Sequence, residues 1–150
     1  DCVFMIERTL SIIKPDAVAD GNIGQILATF ESNDLTILGG RLVHLTLEQA
    51  QKFYAVHDGK DFFKRLTEFM SAGPIFVSVL EGENAVLKNR ELMGATDPKE
   101  AAEGTIRARF GRFIGNNAAH GSDSLENAQT EIAFFFSDDQ LHARTFTPSA

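Results

Sequence analysis

The spacing of apolar residues along this chain switches repeatedly between two periods, and that switching limits the folds open to it. Thr9–Lys14 is a short run of β-branched and apolar residues that stops at Pro15, which predicts a strand. From Asn22, a candidate helix cap, the apolar residues Ile23, Ile26, Leu27 and Phe30 return at helical spacing. A second strand is predicted over Leu35–Leu45, with Gly39-Gly40 marking a bulge or bend. Thr46 and Gln49 form the pattern of a capping box opening a helix to about Val56. Phe62, Phe63, Leu66, Phe69 and Met70 mark another helix, and Ile75–Leu80 after Pro74 reads as a third, largely buried strand. Asn84–Met93 reads as a helix closed by Gly94 in the left-handed conformation. Leu125, Ala128, Ile132, Phe135 and Phe136 line one face of a last helix, capped by Asp123 or Ser124. Strands separated by helices, with a long gap between the second and third, predict an α+β sandwich.

Composition bounds what such a fold can do. The 150 residues are 43% apolar, enough for one sizeable core. The formal net charge of −7 argues against general binding to nucleic acid or to an anionic membrane, since the basic field that drives such binding is missing. A polyanion would need a few Lys and Arg gathered in one pocket. Cys2 is the single cysteine, so no intrachain disulfide is expected, and a reducing, cytoplasmic setting is. No apolar run reaches the roughly 18–20 residues needed to span a bilayer. The expected organisation is one domain over residues 1–137 and a C-terminal tail over 138–150. Residues 1–5 read as an N-terminal extension, with Met5 a candidate natural start.

Two segments carry candidate chemistry. Ile13-Lys14-Pro15-Asp16 puts a lysine at a strand end, where ligands often sit but where a solvated terminus is also common. In Asn117-Ala118-Ala119-His120-Gly121-Ser122-Asp123-Ser124 a histidine is followed by glycine and then by small polar residues opening a helix. Glycine admits a phosphate close to the imidazole, and a helix N-terminus offers unpaired N–H groups. A neutral imidazole is a competent nucleophile through whichever nitrogen keeps its lone pair, and Glu131 is placed to accept from the other. His44 and His142 read as surface or satisfied histidines, and His120 taken alone is open between that reading and a functional one. A metal cluster, a G-x-S-x-G elbow, a P-loop and a kinase-type glycine loop are all missing from the sequence.

Taken together and in order, longer segments resemble nucleoside diphosphate kinases, particularly the bacterial ones. These are Glu7–Val18, Phe53–His57, Phe62-Phe63, Ser71–Pro74, Leu80–Leu87, Gly94–Pro98, Gly104–Arg107 and Asn117–Ser124. The resemblance runs from about Ile6 to Phe136. It implies a ferredoxin-like fold, with a four-stranded antiparallel sheet covered by helices. It also implies a ping-pong transfer of the γ-phosphate from a triphosphate, mainly ATP, to a diphosphate, with little base specificity. Mg²⁺ would be held mainly by the nucleotide's own phosphates. By the same resemblance His120 is the nucleophile, Glu131 orients its ring with Ser122 in support, and Tyr54 packs beside it. Lys14 and Asn117 would contact the ribose, and Arg90, Thr96, Arg107 and His57 the phosphates. Phe62 would stack on the base, with Ile114 an apolar lid opposite. The expected partners are nucleoside tri- and diphosphates and further copies of the chain, as a dimer or tetramer ahead of a hexamer, with no nucleic acid and no membrane. Arg109 departs from an acidic residue usual in the family, Asp97 from an asparagine and Ala17 from a glycine, and Gly111–Asn116 differs from the common bacterial pattern. A nucleotide-binding module without turnover, favoured only by Arg109, and a purely structural protein of the same fold are the competing readings.

Overall fold

In the computed structural model, which describes residues 5–149, the chain builds a four-stranded sheet with helices on both faces. The extension expected over residues 1–4, Cys2 included, lies outside the described residues. The strands are β1 (Ile6–Ile13), β2 (Thr36–Val43), β3 (Ile75–Glu83) and β4 (Ala119–Gly121). The helices are α1 (Pro15–Ala19), α2 (Ile23–Glu31), α3 (Leu47–Phe53), α4 (Phe63–Ser71), α5 (Ala85–Met93), α6 (Ile106–Phe110) and α7 (Leu125–Phe135). Spatial order is β2-β3-β1-β4, with every pairing antiparallel, which is the ferredoxin-like arrangement expected above.

Strand β1 is central, and its alternation assigns the two cores. Leu10 and Ile12 point to a face closed by α3, α4 and α7, where they meet Met70, Val77, Val79 and Phe135. Ile13 points to the other face, with Leu80 of β3 and with Ile26, Phe30, Met93 and Ile106 from α2, α5 and α6. Because both faces are covered, the strand reads as a nearly continuous apolar run rather than an alternating one.

Local chemistry accounts for most element ends. The capping box at Thr46 is formed in full, with Thr46 Oγ1 accepting from Gln49 N–H at 3.1 Å and Gln49 Oε1 from Thr46 N–H at 2.9 Å. Ser124 caps α7 through Asn127 N–H at 3.0 Å. The bulge expected in β2 is present as a register shift between Ile37 and Gly39.

Several boundaries differ from expectation. Asn22 precedes α2 but caps nothing with its side chain, which instead accepts from Gln25 Nε2 at 3.2 Å. α3 stops at Phe53, not near Val56, and a 3₁₀ turn over Ala55–His57 follows, because Tyr54 drops its ring into the core. Gly94 has the positive φ expected (+81°), but its ψ of −174° makes it extended rather than left-handed helical. Phe136 lies just past α7 yet is buried. Beyond Ser137, a 3₁₀ turn over Asp138–Gln140 brings Leu141 onto the core, and His142 N–H bonds to Leu38 O at 2.9 Å. The tail expected from residue 138 thus begins on the body of the domain.

Candidate active site

β4 is three residues long, and β1 supports it through the pairings Ile12–His120 and Ser11–Gly121. This pairing holds His120 half-buried on a cleft of about 290 Å³ lined by Phe53, Tyr54, His57, Arg90, Arg107 and Glu131 among others. His120 Nε2 lies 2.8 Å from Glu131 Oε1, and Ser122 Oγ donates to the same oxygen at 2.9 Å. Ser122 Oγ in turn accepts from Leu10 N–H at 3.3 Å, which ties the network to the buried centre of β1. An ionised carboxylate only accepts, so Nε2 carries the proton and Nδ1 keeps the free lone pair.

The aromatic surroundings fix the ring. Phe53 stands edge-on to it at 5.5 Å between centroids, and Tyr54 at 5.9 Å. The Tyr54 hydroxyl is buried without a protein partner, and burial, reinforced by the Glu131 charge, raises its pKa well above the usual phenol value. It is therefore neutral throughout the physiological range.

Two arginines give the cleft its charge. Arg107 is clamped from behind, donating to Gly94 O at 3.0 Å and to Ala119 O at 2.9 Å. Burial first, and Arg90 second, lower its pKa to about 10, so it stays cationic at neutral pH. Arg90 is exposed at the last turn of α5, free to meet an anion. His57 lines the same cleft.

The remaining predicted residues form a continuation rather than part of that cleft. Lys14 is buried and donates to Asn117 Oδ1 at 2.8 Å, while Asn117 Nδ2 donates to Thr96 O at 2.9 Å. Lys14 has a pKa lowered to about 8, chiefly by burial and then by Arg107. Asp16, whose own pKa is raised by burial, accepts from Ala118 N–H at 3.1 Å and holds Ala118 at φ +73°. That bend turns Asn117 toward Lys14 while the chain continues into β4. Phe62, at the start of α4, is 41% exposed and lies 5.3 Å from His57 between ring centroids. Ile114, 59% exposed, sits in the loop joining α6 to β4.

The helix that follows His120, α7, starts at Leu125, and the N–H of its Asn127 is taken by Ser124. Asn127, Thr130 and Glu131 share the cleft-facing side of α7. Their i, i+3, i+4 polar spacing was the available signal for Asn127 and Thr130, overshadowed by the apolar stripe on the same helix. Phe53 was equally legible only as core. His44 bonds to Ser71 O at 3.0 Å and His142 is exposed; neither lines the cleft.

Arg109, Asp97 and Ala17, three of the departures from the family pattern, lie outside the cleft lining. Arg109 stacks over the Phe110 ring at 4.5 Å and reaches Gln25 Oε1 at 3.5 Å, outside the cleft lining. Asp97 Oδ1 accepts from Lys99 N–H at 3.0 Å, a turn bond that an asparagine oxygen could equally accept. Ala17 is fully buried, packed within the second core.

An antiparallel ferredoxin-like sheet carrying an imidazole into a cleft flanked by two arginines defines an α+β enzyme that handles phosphate. Comparison with known proteins makes this specific. Residues 7–141 match the family model described as nucleoside diphosphate kinase. The chain is 65% identical over 136 residues to a nucleoside diphosphate kinase of Campylobacter lari, covering 91% of this chain and 99% of that one. Its fold is similar to that of the nucleoside diphosphate kinase of Aquifex aeolicus (TM-score 0.90, 46% identity, 91% and 99% of the two chains). It is also similar to that of Halobacterium salinarum in complex with CDP (TM-score 0.89, 42% identity, 95% of each). The chain belongs to the nucleoside diphosphate kinase family, and is a phosphotransferase of that class.

Proposed function

We propose that this enzyme carries the phosphoryl group between nucleotides on Nδ1 of His120. The carrying observation is the 2.8 Å contact of Nε2 with Glu131, which leaves Nδ1 as the free nitrogen in a cleft lined by Arg90 and Arg107. In the first half-reaction the Nδ1 lone pair attacks the γ-phosphorus of a nucleoside triphosphate, mainly ATP. An N–P bond forms, the bond from that phosphorus to the β-phosphate oxygen breaks, and the diphosphate leaves. In the second half a different diphosphate attacks the phosphohistidine through its terminal oxygen and restores the imidazole. The ring becomes cationic as the N–P bond forms, and Glu131 stabilises that charge while Ser122 holds the carboxylate in place.

The remaining residues position and neutralise, which is most of what phosphoryl transfer asks of a protein. Arg90, Arg107, Thr96 and His57 bind phosphate oxygens; Lys14 and Asn117 bind ribose hydroxyls. Phe62 and Ile114 enclose the base from two sides, and because every base has a π-face, such a slot discriminates little among them. Tyr54 packs beside the catalytic ring.

Among the described residues no group of three or more His, Cys, Asp or Glu could cage a metal, and Glu131 is occupied by His120 and Ser122. That donor set suits an Mg²⁺ ion held mainly by the nucleotide's phosphates rather than by the protein. When bound, such an ion would supply positive charge that offsets the charge of the phosphates. The enzyme acts in the cytoplasm, which accords with its single cysteine. It assembles as a dimer or tetramer ahead of a hexamer; β2 lies at a sheet edge with Leu42 60% exposed, a surface suited to a second copy.

The test is incubation with Mg·[γ-³²P]ATP followed by acid and alkali treatment. Acid-labile, alkali-stable label on the wild type and none on His120→Ala is the expected result. Equal label on both would remove His120 from the mechanism.

A further inference from the structure

Arg65 lies one turn after Phe62 on the exposed side of α4, so the two side chains share a face of the helix. Its Nη1 donates to Gly115 O at 3.2 Å, the residue after Ile114. No other hydrogen bond joins α4 to the 111–116 loop among the described residues. The loop is otherwise a closed unit: Arg112 N–H bonds to Asn116 O and Asn116 N–H to Phe113 O, both at 2.9 Å, and Arg112 pairs with Asp20 at 2.7 Å. Its base is therefore anchored to the α1 end of the molecule, and its tip is tied across to α4 by Arg65.

The fit at this tie is tight. A Cβ on Gly115 would overlap the Arg65 guanidinium and come within 2.9 Å of the Phe113 ring. The guanidinium also lies close enough to Lys14 to be one of the smaller contributors, after burial and Arg107, to the lowering of its pKa. Arg65 thus stands where the ribose end of the cleft meets the pair formed by Phe62 and Ile114. Those two apolar side chains remain 41% and 59% exposed, each on one of the two elements that Arg65 joins.

We infer that Arg65 is a positioning residue for the nucleotide: its bond to Gly115 O sets the gap between Phe62 and Ile114 into which the base slides. A preset gap spares the base the ordering of a loose loop on binding, so the tie lowers KM without touching the chemistry at His120. The inference rests on Phe62 and Ile114 enclosing the base, and its test separates the two ideas.

Phosphate exchange is measured with ADP, GDP, CDP and UDP for the wild type, Arg65→Ala, Arg65→Lys, Gly115→Ala, Phe62→Ala, Ile114→Ala and the double variant Arg65→Ala/Ile114→Ala. Arg65→Ala should raise KM about three- to tenfold for every base, while kcat at saturation stays within about twofold. Arg65→Lys, which keeps a donor, should recover part of the loss, and Gly115→Ala, which wedges the tie apart, should reproduce it. In the Ile114→Ala background, Arg65→Ala should add little, because the residue through which it acts is already gone. An unchanged KM in Arg65→Ala, a fall in kcat as large as the change in KM, or full additivity with Ile114→Ala would each overturn the inference. If Phe62→Ala and Ile114→Ala themselves leave KM unchanged, the base slot is wrong; if they raise it while Arg65→Ala does not, the tie alone is wrong.

Discussion

At the scale of single residues, the proposed mechanism works by making one imidazole nitrogen free and keeping it aimed. Glu131 does this by engaging Nε2 and Ser122 together, and Ser122 reaches back to Leu10 in the core. Glu131→Gln keeps the shape but loses the charge that stabilises a cationic ring. It should slow phosphorylation of His120 about ten- to a hundredfold while leaving KM within about twofold, as read by rapid-quench labelling. Lys14 supplies a pH signature. Burial and Arg107 hold it at about pH 8, below its ordinary 10.5, so it loses its charge as pH rises through 8, while Arg107 keeps its charge until about 10. KM for diphosphates should therefore climb above pH 8, and Lys14→Met should remove that inflection. The stability effect has the opposite sign. Between 8 and 10.5 the unfolded chain binds the proton that the folded chain has released, so this group adds stability as pH rises there.

At the scale of elements, short segments are held by their neighbours more than by their own propensity. β4 has three residues and exists because β1 pairs with it. Gly121, in that strand, sits under α5: a Cβ there would stand 2.5 Å from Asn89 Nδ2 and 2.7 Å from Met93 Cε. Gly121→Ala should cost about 1–3 kcal/mol by overpacking and also lower kcat, since β4 carries the adjacent His120. A thermal melt and a steady-state assay on the same preparation would check both. Thr46→Ala provides the contrast. It breaks the capping box far from the cleft, costing about 1 kcal/mol and roughly 2–4 °C in Tm with kcat unaltered.

At the scale of the molecule, one sheet orders both cores and both halves of the site. β1 contributes Leu10 and Ile12 to one core, Ile13 to the other, and runs directly into Lys14. Ligand binding should therefore register as global stability. A nucleotide at about a hundred times its Kd should add roughly 2.7 kcal/mol, or about 5–10 °C in Tm. His120→Ala should retain most of that shift, since on the proposed mechanism it removes the acceptor of the phosphoryl group and leaves the arginines and Lys14. Loss of the shift in His120→Ala would mean that the histidine binds rather than reacts. Light scattering on the same protein would test the proposed assembly as a dimer or tetramer.

The amino-acid sequence by itself determined the elements whose signals are local. The strands at 9–14 and 75–80, the capping box at Thr46, the bulge at Gly39 and the apolar face of α7 all follow from residue type and spacing within a few positions. α1, α6 and β4 carried no such signal, because five or three residues are too few to show a period. The ordered family motifs pointed to the candidate site residues, but composition and spacing alone could not separate His120 from an ordinary histidine. Only the tertiary structure set Glu131 at 2.8 Å from its ring, brought Arg107 in to grip Gly94 and Ala119, and joined Arg65 to Gly115 across 50 residues of chain. Such contacts depend on how the sheet stacks its strands, and a linear pattern does not encode which distant side chains that stacking will bring together.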